Sequence, residues 1–468
     1  MAIYICSICE TEFDETKEGT EWDRLPSDWT CHVCESGKSL WRMAGDAVTS
    51  DFSEDSAEVV AGSASVPEKT FDEFEAYMAD IHIMSETGQS IIEPMRTRQP
   101  TYSWDDILIK GAQLSKVPLN LDQPVNTKTV IGPRAALPME IDSPVYITHM
   151  SFGALSKEAK VALAKGSGAV KTAMCSGEGG ILPESFESSH KYIFEYVPNE
   201  YSVTAENLQK ADAIEIKFGQ SAKPGMGGHL PAEKVTKEIA EIRGFAEGTD
   251  IISPAHFSDI LNKDDLKDKV AWLRDVSGGK PIGIKFAAGN IEADLEVAIY
   301  AQPDFITIDG RAGATGAAPK FVKSAASIPT IFAIYRARKY LDSHSASDIS
   351  LIATGGLRIS PDFAKAIALG ATAVAIGTTA LIAIGCRQYR ICNTGKCPMG
   401  ITTHDPALRK NLEVDTAAKR LENFLRLTNH ELKDFARLTG NGDVHKLSIA
   451  DLCTTNSEIS EHTDIEHV

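Results

Sequence analysis

The chain has 468 residues, 43% hydrophobic and 24% charged, enough for two or three domains around a sizeable core. A net charge of −18 without clustered Lys and Arg argues against a nucleic-acid or anionic-membrane partner, since counterion release needs a basic face. There is no basic and apolar leader, and no apolar run reaches the roughly 18 residues of a membrane span, so a cytoplasmic protein with no membrane partner is expected.

In a reducing compartment, clustered cysteines serve as metal ligands more readily than as disulfides. Residues 1–45 carry two C-x2-C knuckles, "YICSIC" and "WTCHVC", separated by 21 residues. Cys6, Cys9, Cys31 and Cys34 can present four thiolates to one Zn2+ or one iron, and the spacing alone leaves both open. Tyr4, Phe13, Trp22, Trp29 and Trp41 surround the knuckles and can shield either metal. Residues 46–70 are acidic, small and Ser-rich without an apolar period, which predicts a linker. Residues 71–140, with the helix-like "FDEFEAYMADIHIM" and a loop-rich stretch after it, form an extension of the main domain, and 446–468 a C-terminal tail.

From residue 141 to 445 short β-branched runs alternate with helical stretches: "VYITHM" (145–150), "AVKTAM" (169–174), "AIEIKF" (213–218), "DIISP" (250–254), "IGIKF" (282–286), "DFITID" (304–309), "SLIAT" (350–354) and "AVAIG" (373–377). Eight such units predict an α/β fold, a (β/α)8 TIM barrel, against the alternative of an open doubly wound sheet. What favours the barrel is that the chemically distinctive residues follow the C-terminal ends of the runs, where a barrel gathers its site. Gly355, Gly356, Gly377 and Thr378 fall in the loops after the last two runs, the usual place for a phosphate, and the many strand-end glycines let backbone N–H groups approach a flat ring. Lys285, inside "IGIKF", either snorkels to solvent or places a cation beside a cofactor atom that becomes negative on reduction, as a flavin ring does. Lys223 and Arg243 either clamp a carboxylate or are surface charges. Cys175 and Cys453 read as small buried hydrophobes.

"GCRQYRICNTGKCPMG" places Cys386, Cys392 and Cys397 within twelve residues, one thiolate short of a zinc site and one too many for a disulfide.

Two resemblances follow from these motifs. Residues 1–45, in "YICSICETEFD" and "LPSDWTCHVC", resemble rubredoxin, which implies a single iron on Cys6, Cys9, Cys31 and Cys34; Glu10 and Glu35 stand where rubredoxins carry glycine, and zinc is the other candidate. Residues from about 90 to 445 resemble the FMN-binding domain of glutamate synthase in its archaeal-type form, in "MSFGALSKEA", "GEGG", "GQSAKPGMGGHLP", "ISPAHFSDI", "DGRAGATGAAP", "ATGGLR", "AIGTTAL" and the three-cysteine stretch. That resemblance implies FMN, and a [3Fe-4S] cluster on Cys386, Cys392 and Cys397. Ser151 and Glu178 would line the flavin, Gln220 and Lys285 face its ring, and Gly313, Thr315, Gly355, Gly356, Gly377 and Thr378 complete the cofactor site, the last four around its phosphate. Lys223 and Arg243 correspond to groups that grip 2-oxoglutarate, with His229 in the same substrate region, and Glu158 to a catalytic carboxylate near the flavin and the ammonia route. Met226 and His229 depart from many bacterial members.

The implied function is reductive amination of 2-oxoglutarate, through 2-iminoglutarate, to L-glutamate. With no glutaminase segment, no G-x-G-x-x-G fingerprint and no ferredoxin cysteine run, ammonia, free or glutamine-derived, and electrons are expected from separate subunits, in an oligomer. The alternatives are a related oxidoreductase or N-methylglutamate-type synthase with another substrate, and a non-catalytic electron-transfer subunit.

Overall fold

A computed structural model of the protein describes residues 2–6, 11–26, 29–31, 38, 41–43 and 72–468. Near the N-terminus, Ile3–Cys6 pairs antiparallel with Glu12–Asp14 and with Trp41–Met43. Over this small sheet the Tyr4 and Trp22 rings stack at 4.3 Å, and Phe13, Trp29 and Trp41 meet Trp22 within 5.4 Å. These aromatic residues thus pack against one another, and Cys31 is buried. The metal expectation itself lies outside the described residues, because Cys9, Cys34 and the Cys6 side chain are not among them.

The main body is a closed eight-stranded parallel barrel. In chain order its strands are Val145–Ile147, Ala173–Cys175, Lys191–Tyr196, Ala213–Lys217, Ile282–Ala287, Phe305–Asp309, Ser350–Thr354 and Ala373–Ile376, and the eighth pairs with the first. The expected barrel is borne out, with one correction to its membership. Residues 250–254 do not enter it; Ile251–Ile252 instead pairs antiparallel with His229–Leu230 in a hairpin above the barrel. The third strand is "KYIFEY", which the alternation of strands and helices passes over because only a short helix, Pro183–Glu187, precedes it. The fourth strand is followed by a long excursion before the helix Lys263–Val276, and its apolar hairpin strand mimics a barrel strand.

Parallel register decides which side chains enter the barrel. Glu195 aligns with Glu215, Glu215 with Gly283 and Gly283 with Phe305; the row above runs Lys217, Lys285, Thr307, Ile352 and Ala373. Alternation along each strand then points these residues inward. The lower interior is apolar: Ile193, Ala213, Phe305 and Ile352 pack with Ile131, Met139 and Ile141 of the hairpin Thr129–Ile131/Met139–Ile141. That hairpin meets the strand starts, with the Gly132 N–H donating to Ser350 Oγ at 3.1 Å, so the N-terminal end of the barrel is plugged and its polar residues are left at the other end.

Outside, the 25-residue helix Val414–Leu438 crosses Lys157–Gly168 so closely that a Cβ on Gly166 would lie 2.8 Å from Ala418 O. No helix among the described residues is long and apolar enough to cross a membrane.

Gly283 makes the interior testable, since a Cβ there would come 2.2 Å from the Phe305 ring. Gly283→Ala should cost about 1–3 kcal/mol through overpacking, read as a lower denaturation midpoint with unchanged m-value.

Candidate active site

The C-terminal mouth of the barrel opens into a cavity of about 950 Å³. It gathers Ser151, Glu178, Gln220, Lys223, His229, Arg243, Lys285, Gly313, Thr315, Gly355, Gly356, Gly377 and Thr378, residues from seven different strand ends and their loops. One predicted residue does not join them. Glu158 lies outside the lining, with both carboxylate oxygens held by Arg409 at 2.8 Å.

At the floor, the inward register makes an ionic layer. Lys285 Nζ lies 3.5 Å from Glu195 Oε1, and His149 sits between the two glutamates, Nδ1 3.7 Å from Glu195 and Nε2 3.0 Å from Glu215. Thr307 donates its hydroxyl to Glu215. Burial would lower the Lys285 ammonium, but Glu195, Glu215 and Asp309 outweigh it and hold it above the ordinary lysine range. Lys285 is thus a fixed buried cation, not a snorkelling one; its side chain is 6% exposed. His149, Glu195 and Glu215 bring ligand-type atoms within 4.8 Å of one another. The imidazole is nevertheless spoken for: Nδ1 accepts the Gly177 N–H at 3.2 Å, which leaves the proton on Nε2 and no lone pair there for a metal.

Above this layer Lys217 pairs with Glu178. Burial raises the Glu178 carboxyl, but Lys217, with Ser253 and Lys223, overrides it and brings the group down to about 2. Asp309 accepts from Ser221 N at 3.0 Å and Oγ at 2.8 Å, and Gln220 Nε2 donates to Thr315 Oγ1 at 3.2 Å, tying the fourth and sixth loops together.

One end of the cavity is built for an anion on backbone groups. Gly355 has φ +105° and Gly356 φ +92°, and a Cβ on Gly355 would lie 2.2 Å from Gly310 O, so both left-handed conformation and close approach demand glycine. Arg358, next in the "GGLR" loop, lines the same wall, and its guanidinium donates to its own neighbour's carbonyl, Leu357 O, at 3.0 Å. Burial and then Arg96 lower its guanidinium to about 10, while Asp362 partly offsets them.

The other end carries two further cations. Lys223 Nζ donates to Gly227 O at 2.9 Å, and burial, then Lys217, lower it to about 8. Arg243 is 8% exposed, stacks 5.2 Å from the Tyr201 ring and donates to Phe152 O at 2.7 Å, while its Nε has no acceptor. Its guanidinium passes between Gly153 and Gly179, where a Cβ would lie 2.8 or 2.7 Å from Nη2. His229 stands at the rim with Nε2 3.1 Å from Asp250 Oδ2, beside the half-exposed Met226.

Cys386, Cys392 and Cys397 line a smaller adjoining cavity, and Cys392 and Met95 line both. The three sulfurs do not all lie within 4.8 Å of one another, too wide a set for one zinc ion, whose thiolates sit about 3.8 Å apart. Gln388 donates to Cys386 Sγ from N at 3.4 Å and Nε2 at 3.2 Å. Burial raises the Cys392 thiol to about 11, with Cys386 and Cys397 adding to it, so a thiolate there needs a cationic partner. The donor set fits a polynuclear iron–sulfur centre better than a single ion.

A region conserved in glutamate synthases matches residues 82–442. The chain belongs to the glutamate synthase family. Its relatives include the glutamate synthase large subunit-like protein of Rhizobium meliloti (strain 1021), 36% identical over 409 residues, covering 83% of this chain and 92% of the relative. The archaeal glutamate synthase [NADPH] of Methanocaldococcus jannaschii is 39% identical over 355 residues, covering 75% and 67%. Among solved structures, an active mutant of (S)-mandelate dehydrogenase shares the barrel fold at TM-score 0.50 and 13% identity, covering 75% of this chain and 88% of that one. The expected oxidoreductase of glutamate synthase type is thereby met at the level of the family.

His149, Glu195, Glu215, Lys217, Asp309 and Arg358 escape a reading of the sequence. Arg358 had a signal, an arginine directly after a glycine pair; the charged residues inside strands have one only once the register is known. The Glu178–Lys217 pair gives a pH-dependent stability. Because its folded value is depressed, Glu178 contributes fully above about pH 4.5 and loses its contribution as the pH falls towards 2, a difference of about 3 kcal/mol. Glu178→Gln should lower stability at pH 7 by roughly that amount, leaving Lys217 unpaired, and flatten the acid limb of a stability–pH curve measured by urea unfolding.

Proposed function

We propose that this chain binds FMN and a [3Fe-4S] cluster and carries out reductive amination of 2-oxoglutarate, through 2-iminoglutarate, to L-glutamate. The observation that carries the reading is the pairing of two ends in one cavity: a glycine cradle with Arg358 at one, and at the other the half-buried Lys223 and buried Arg243, which donate to the carbonyls of Gly227 and Phe152 and form no ion pair among the described residues. A phosphate-bearing flat cofactor suits the first, and a dicarboxylate suits the second. FMN, when bound, would supply the hydride equivalent that reduces the imine carbon.

The residues of the chain then divide the remaining work. Gly355, Gly356, Gly377 and Thr378 offer backbone donors to the phosphate, with Arg358 supplying charge. Lys285, kept cationic by Glu195, would stabilise negative charge on a bound ring, and Gln220 and Thr315, hydrogen-bonded to each other, would form part of its wall. Lys223 and Arg243 hold the substrate carboxylates and so orient the imine carbon; charge-assisted bonds of this kind contribute about 1.5–3 kcal/mol each. Ser151 and Glu178 complete the wall, Gly313 leaves it thin beside Ser221, and His229 with Asp250 guards the rim. Glu158, clamped by Arg409 outside the cavity lining, would serve the ammonia route as part of that ion pair.

Cys386, Cys392 and Cys397 would hold the cluster, and Cys6, Cys9, Cys31 and Cys34 a single iron, each supplying one-electron transfer chemistry; Cys392 and Met95 line both the cysteine cavity and the main one. Ammonia and reducing equivalents come from separate glutaminase-like and electron-donor subunits. Some relatives carry NADPH in their names; here the dinucleotide would act on the donor subunit.

Lys223→Met and Arg243→Met should each raise KM for 2-oxoglutarate about 10–100-fold while FMN content per chain stays at the wild-type level, measured by steady-state turnover with ammonium and a reduced dye. Equal turnover with a different 2-oxo acid and none with 2-oxoglutarate would assign the site to another substrate. Metal analysis of anaerobically purified protein should give four irons per chain, three from the cluster and about one more; zinc in place of that one would remove the N-terminal electron port.

A further inference from the structure

Lys160 stands on the helix Lys157–Gly168, outside the barrel wall, yet it is fully buried. Its ammonium donates to three backbone carbonyls, Met150 O at 2.9 Å, Cys175 O at 3.0 Å and Ser176 O at 2.7 Å, and no carboxylate bonds it among the described residues. Three protons meet three acceptors, so the tripod is saturated. The three oxygens belong to the ends of the first and second strands, immediately before Ser151 and Gly177–Glu178.

In a trans peptide the N–H points opposite to the C=O. Holding these carbonyls therefore fixes the direction of the N–H groups that follow them, and two of those can be traced. Ser176 N–H donates to Ile193 O at 2.9 Å on the third strand, and Gly177 N–H donates to His149 Nδ1 at 3.2 Å. The third, Ser151 N–H, has no acceptor among the described residues, and Ser151 lines the cavity. The two loops are locked together, because a Cβ on Gly177 would lie 2.4 Å from both Met150 C and Ser151 N.

We propose that Lys160 is a positioning residue: by holding three carbonyls from behind the barrel wall it presents the Ser151 N–H to the flavin ring and fixes the tautomer of His149 in the ionic floor. This rests on the reading of the cavity as a flavin site. Burial lowers Lys160 to about 7, against Cys175 on the second strand and Glu195 on the third, the ionisable groups that act on it; His149 is reached through Gly177. The clamp is therefore complete below that pH and loses a donor above it.

The test uses the full chain, freed of flavin, titrated with FMN and with riboflavin, which lacks the phosphate and so reports the ring alone. Binding is followed by fluorescence quenching and the visible band from pH 6 to 8.5. Wild-type affinity for riboflavin should fall about tenfold across that range, and Lys160→Met should bind both flavins about tenfold more weakly at pH 6 with a flat profile. Wild-type affinity and an unchanged pH profile in Lys160→Met would overturn the proposal. Should Lys160→Met not fold, Lys160→Gln is read in the same way, and a flat wild-type riboflavin profile is by itself contradictory. Failure of the wild type to bind either flavin would overturn the flavin reading and the role of Lys160 together, whereas tight binding indifferent to Lys160 would overturn only the latter.

Discussion

The structure depends on a buried cation in the middle of a barrel. Lys285 enters the interior because its strand alternates, and it can remain charged there only because parallel register sets Glu195 and Glu215 beside it. An ionic layer in a barrel interior is expensive, and most such interiors are filled by branched apolar side chains. Here the cost is confined: the hairpin around Gly132 and the apolar residues Ile193, Phe305 and Ile352 make a dry lower half, and the charges occupy the half that faces the cavity. The same separation defines which end of the barrel can do chemistry.

From that floor the cavity is organised by charge. Lys217 is matched by Glu178 and Lys285 by Glu195, while Lys223, Arg243 and Arg358 form no ion pair among the described residues. Matched cations hold shape, and unmatched ones hold ligands. The unmatched set falls at two ends, which is why a phosphate and a dicarboxylate are the natural occupants and why a single flat ring between them is the economical reading. The cysteine loop adjoins this arrangement through Cys392 and Met95, so an iron–sulfur centre there would share a wall with the ring.

The barrel and most of the cavity residues were legible in the sequence because glycine pairs, "GEGG" and "GQSAKPGMGG" mark strand ends whatever the exact strand list. The strand list itself failed once. "KYIFEY" lies after a short helix and "DIISP" after a long excursion, so local pattern favoured the wrong one, and only pairing with Ala213–Lys217 restores the third strand. The interior charges were opaque for a related reason: His149, Glu195 and Glu215 look like ordinary strand residues until register brings them within reach of Lys285. Lys160 was hidden most thoroughly, since its partners are backbone oxygens that no side-chain pattern reveals. Glu158 takes its role from the resemblance alone, and the fold sets it outside the cavity lining, paired with Arg409.

On the proposed function, one cavity would bring a reducible ring against a dicarboxylate imine. The most direct measurement is a single anaerobic turnover, in which photoreduced protein is mixed with 2-oxoglutarate and ammonium while flavin absorbance is followed and glutamate is counted. Reoxidation of the flavin is expected, with one L-glutamate formed for every two electrons the protein gives up and at least one per flavin, dependent on both reactants. A flavin that stays reduced, or that reoxidises without forming glutamate, would contradict it.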